Sequence, residues 1–106
     1  MQELDDTTFD SHVMGEAAPV LVFVFADWAG PCHKARPEIE GIAAAYGNSL
    51  KVFSLNVEDS PNTAVKYQVR GVPALLLFYE DALVASLVGA VSGEVVSEWL
   101  AAKGAI

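Results

Sequence analysis

The chain has 106 residues, 53% hydrophobic and 19% charged, which excludes a disordered segment and predicts one globular domain over residues 1–106. Fourteen acidic residues against six basic ones give a net charge of −8, a sign that repels phosphate backbones and anionic lipid heads, so neither nucleic acid nor a membrane surface is an expected partner. One cysteine excludes an intrachain disulfide, and with only two scattered histidines beside it neither a metal site nor any other cofactor is expected.

The start, MQELDDTTFD, is acidic and polar, the opposite of a secretory signal. In DDTTFDSHVM, Asp and Thr capping candidates precede Phe9, Val13 and Met14, which predicts a short first helix. PVLVFVFA is a continuous apolar run rich in β-branched and aromatic residues. It predicts a central strand covered on both faces, and it is too short to span a bilayer. The chain therefore reads as soluble and cytoplasmic.

From Pro31, the apolar positions Cys32, Ala35, Ile39, Ile42, Ala43 and Tyr46 follow three- and four-residue spacing. That is a helix with Pro in its first turn and a stop at Gly47-Asn48, and Pro37 inside it predicts a kink near residues 33 to 37. KVFSLNV reads as the next strand and NTAVKYQV as a short helix. ALLLFYEDALVASLVG reads as two strands around a tight turn at Glu80-Asp81. SGEVVSEWLAAK starts at a Ser cap and places Val95, Val96, Trp99 and Leu100 on one buried helical face. The order β-α-β-α-β-α-β-β-α, with a β-α-β unit feeding an antiparallel hairpin, predicts an α/β fold. Its single mixed five-stranded sheet should carry helices on both faces.

The stretches FADWAGPC, SLNVEDSPNTAVKYQVRGVPALLLFYEDALVASLVGA and the closing amphipathic helix, in this order and spacing, resemble the thioredoxin family over essentially the whole chain. The resemblance implies a thioredoxin fold and, as the inherited activity, protein-disulfide exchange on protein or peptide substrates. Where the motif is complete it also implies a thioredoxin reductase as electron donor. It makes Cys32 the resolving-cysteine position and Ala29 the position of the nucleophilic cysteine, since Trp-Ala-Gly-Pro-Cys stands for Trp-Cys-Gly-Pro-Cys. It places Trp28, Gly30, Pro31, Val72, Pro73, Gly89 and Ala90 at the substrate-binding surface, with Pro73 as the cis-proline. A buried Asp and a Lys lie beneath the family's cysteine pair; here those positions hold Phe23 and Ser54.

The chemistry explains why the substitution matters. The attacking group in disulfide exchange is a thiolate, made available at a helix N-terminus, and a second thiolate one turn inside displaces the product. The methyl group of Ala29 can attack nothing. Taken by itself, Phe23 in the middle of an apolar strand reads as a core residue, and Cys32 on the core-facing side of its helix as an inert buried thiol. His33 follows Cys32 directly, but adjacent helix residues do not face each other, so it is no obvious base. His12 reads as a surface residue and Trp99 as core, while Trp28, beside a loop, is a candidate for either binding or packing. Two readings stay open. One is a disulfide reductase with a disabled site, and the other a redox-silent peptide-binding module, in either case a monomer or weak dimer.

Overall fold

A computed structural model describes residues 1–89 and 92–106. Its elements are β1 (Gln2–Leu4), α1 (Phe9–Val13), β2 (Val20–Phe25), α2 (Gly30–Tyr46), a short 3-10 turn (Gly47–Ser49), β3 (Lys51–Asn56), α3 (Pro61–Lys66), β4 (Ala74–Tyr79), β5 (Ala82–Val88) and α4 (Gly93–Ala102). The five strands form one sheet in the order β1-β3-β2-β4-β5, with β1 and β2 parallel to β3, and with β4 antiparallel to both β2 and β5. This is the mixed five-stranded α/β architecture expected.

The sheet divides the core because side chains of a strand alternate between its faces. Leu21, Phe23 and Phe25 enter one cluster with Cys32, Ala35, Ile39 and Ile42 of α2 and with Val96 and Leu100 of α4. Val20, Val22 and Val24 enter the other with Phe9 and Val13 of α1, and with Leu76 and Phe78 of β4. All six residues of β2 are buried, so a run without polar alternation is what the central position requires. The hairpin turns on Glu80 and Asp81, at φ 51° and 67°. Two consecutive positive φ values suit a two-residue hairpin turn that matches strand twist, and Asp81 adds a hydrogen bond from the Gly15 N–H.

Helix α2 runs unbroken from Gly30 to Tyr46 with Pro37 inside it. Its C-cap, Gly47, has φ 54°, a value that favours glycine and ends the helix where the sequence indicates. Ser92 caps α4, its hydroxyl accepting from the Val95 N–H at 3.2 Å. The apolar face of α4 is narrower than its sequence suggests. Val96 and Leu100 are buried, whereas Val95 is 46% exposed and Trp99 is half-buried at the rim of the core. In a first turn capped by Ser92, Val95 rotates outward and only the 96/100 pair points at the sheet. His12 is likewise not a plain surface residue. It is half-buried, 5.8 Å edge-on to the Phe53 ring, and its Nδ1 donates to the Thr8 carbonyl.

Candidate functional site

The end of β2 and the start of α2 set the geometry. After Phe25 the chain leaves the sheet through Ala26 and Asp27, and the Val57 N–H donates to the Phe25 carbonyl at 3.0 Å. That bond holds the turn after β3 against the turn after β2. Ala29 is the N-cap of α2, with extended backbone (φ −90°, ψ 106°) and only 7% exposed; its carbonyl accepts from the Cys32 N–H at 3.0 Å. Gly30 and Pro31 open the helix, where a proline lacks only an N–H that the first turn would leave unpaired. Cys32 is 2% exposed and belongs to the core cluster. Its neighbour His33 points outward, its Nε2–H bonded to the Asp27 carbonyl at 2.8 Å, which ties the helix start back onto the loop.

Trp28 projects into solvent, 73% exposed, and forms one wall of an open groove of about 400 Å³. The remaining walls are Val57 after β3, Ala64 on α3, and Val69, Arg70, Gly71 and Val72 in the loop that follows α3. The Val72–Pro73 peptide bond is cis. The Pro73 carbonyl accepts from the Gly89 N–H at 2.9 Å, so the two loops are joined. Gly89 has φ +114° and a side chain there would touch nothing within 4 Å. Its glycine is demanded by backbone conformation, since no neighbour crowds the site. Trp28 and Val72 thus share one groove; Gly30, Pro31, Pro73 and Gly89 are not among its lining residues, although Gly89 is bonded to Pro73 next to Val72, and Ala90 lies outside the described residues. Sequence reading missed Val57, Ala64, Val69, Arg70 and Gly71; the only signal for the last four was proximity to Val72 in the stretch NTAVKYQVRGVP, and Val57, at the end of KVFSLNV, gave none.

Beneath α2, Phe23 and Ser54 are direct partners in the parallel β2–β3 register, and each is 1% exposed. Phe23 lies nearly parallel to Phe25, with ring centroids 5.9 Å apart at 14°. The Arg36 guanidinium covers both rings.

The sequence model of the family Thioredoxin matches residues 1–102. The chain belongs to the thioredoxin family. It is 46% identical over 90 residues to a thioredoxin of Buchnera aphidicola subsp. Schizaphis graminum, an alignment covering 85% of this chain and 83% of that one. A thioredoxin of Rhodospirillum rubrum is 33% identical over 103 residues, covering 97% and 99% of the two chains. The chloroplastic M-type thioredoxin of Pisum sativum is 39% identical over 98 residues; the chain spans 57% of that protein's length. The sheet order and helix placement described above are the thioredoxin fold. No helix among the described residues is long and apolar enough to cross a membrane.

Proposed function

We propose that this thioredoxin-family chain keeps a groove for a segment of another protein while lacking the family's two-thiol disulfide exchange. The observation that carries the reading is the helix start: a methyl group at Ala29, 7% exposed, where the motif requires sulfur, above a Cys32 that is 2% exposed. Exchange needs a thiolate to attack one sulfur of the substrate disulfide, forming a mixed disulfide, and a second thiolate to displace the reduced product. Ala29 removes the first step, and burial of Cys32 keeps the remaining thiol from substituting for it.

What survives needs no sulfur. Trp28 offers a large exposed aromatic surface, and the apolar groove beside it reaches the Val72–Pro73 loop. A partner segment in extended form would pair with the backbone N–H and C=O of Val72, a strand-addition mode that leaves side-chain selection to the groove. The family's inherited substrates, protein and peptide segments, are then ligands, and a thioredoxin reductase has no disulfide here to reduce. The test is insulin reduction by dithiothreitol with the unaltered chain added. The rate should equal that of dithiothreitol alone; a catalysed rate rising with chain concentration overturns the silent reading.

A further inference from the structure

Among the described residues, seven line the groove; of these Arg70 alone is charged, and no carboxylate is among them. Glu58 and Asp59 follow Val57 directly in sequence, yet neither contributes to the lining. Arg70 is exposed, and only Gly71 separates it from Val72. The groove therefore combines apolar walls (Trp28, Val57, Ala64, Val69 and Val72) with one cation among its described lining residues, on a chain whose net charge is −8.

From this juxtaposition we infer that the groove selects an extended segment with an apolar side chain for its apolar walls and a carboxylate nearby for Arg70. The inference rests on the groove reading above and adds the chemistry of its occupant. Two electrostatic effects oppose each other here. The chain's overall charge repels an acidic segment at long range, whereas Arg70 attracts it at contact. Screening decides between them: at about 0.15 M salt the Debye length is about 8 Å, so distant carboxylates are largely screened and the contact pair is not. An exposed guanidinium–carboxylate pair is a modest interaction, so the carboxylate sets preference, while burial of the apolar side chain supplies most of the affinity. The planar guanidinium, with its fork of donors, suits a carboxylate better than an ammonium would.

The experiment titrates the full chain, ¹⁵N-labelled, with three short capped peptides at about 0.15 M salt. Each carries one Leu and differs only in having Asp, Asn or Lys two places from it. Shifts should appear at the Trp28 indole and at the Val57 and Val69 amides, with the Asp peptide binding about two- to fivefold tighter than the Asn peptide. Arg70→Gln should abolish that preference, so that the Asp and Asn peptides bind the variant alike. Equal affinity for Asp and Asn, tighter binding of the Lys peptide, or a preference that survives Arg70→Gln overturns the acid selectivity and leaves the groove standing. Absence of shifts at these residues with all three peptides overturns the groove reading itself, and the selectivity with it.

Discussion

The guanidinium carbon of Arg36 stands 4.5 Å from the centroid of the Phe25 ring and 5.5 Å from that of Phe23. The two rings are themselves stacked, and the guanidinium lies over both. Phe23 occupies the strand position where the family resemblance implies a buried Asp, and its register partner Ser54 the position of a Lys. Where the resemblance implies an Asp and a Lys beneath the motif, this chain has an aromatic stack, and a positive charge reaches it from helix α2. A half-buried guanidinium over two rings gains quadrupole attraction without needing a carboxylate, so the core stays closed where a lone buried acid would need a partner.

This relationship predicts a coupling. Arg36→Gln should cost about 0.5–2 kcal/mol in urea unfolding, the range for a guanidinium over aromatic faces. Phe23→Asp breaks the ring stack but places a carboxylate under the same guanidinium. In that background Arg36→Gln should cost more, about 3 kcal/mol, because it strands a buried charge. Equal costs in the two backgrounds would show that the guanidinium does not reach position 23.

A second prediction concerns the helix that carries Ala64 of the groove wall. The Asp6 carboxylate accepts from the Thr63 hydroxyl at 2.7 Å and from the backbone N–H groups of Thr63 and Asn62 at 2.8 and 3.1 Å. These bonds, the Thr63 hydroxyl first, hold the Asp6 carboxyl below the ordinary Asp value. A pKa lowered on folding means stability that is present above the ordinary value, about pH 4, and lost as pH falls through the folded one. Asp6→Asn should lower Tm at pH 7, and the gap to the unaltered chain should close as pH falls below about 4. A gap that stays constant with pH would remove charge from the explanation.

The third prediction concerns Cys32. At 2% exposure, its sulfur should react with an aromatic disulfide reagent slowly in the native chain and rapidly in denaturant. The readout is the released thiolate followed by absorbance. Equal native and denatured rates would place the sulfur in solvent and make a single-thiol chemistry available to the chain.

Much of this arrangement was legible in the sequence, and what escaped has a physical reason. The apolar run 20–25 had to be central because no residue in it tolerates water, and Gly47 ended α2 as glycine does at a left-handed stop. The first strand, Gln2–Leu4, stood in the expected order without a segment to mark it, since a three-residue edge strand with one buried side chain has no periodicity to detect. Ser60 illustrates a different limit. It sits at the N-cap of α3, but its hydroxyl is buried without a partner among the described residues while Asp6, far away in sequence, supplies the capping bonds. Arg36 likewise reads as one more charged residue on a helix until the fold lays it across Phe23 and Phe25. Local spacing shows which residues share a face; it does not show which distant side chain completes a contact.

The most direct test of the account is the mass of protein-bound mixed disulfide formed with a small test disulfide over time, for the unaltered chain and for Ala29→Cys. The helix N-terminus and Gly30-Pro31 are intact, so the new sulfur should attack. Release should then lag, because Cys32 must lose its proton beside Phe23, without the positioned base that typically contributes ~10²–10⁴-fold. The account predicts no adduct on the unaltered chain and a persistent adduct on Ala29→Cys. A comparable adduct on the unaltered chain, or prompt release from Ala29→Cys with Phe23 in place, would contradict it.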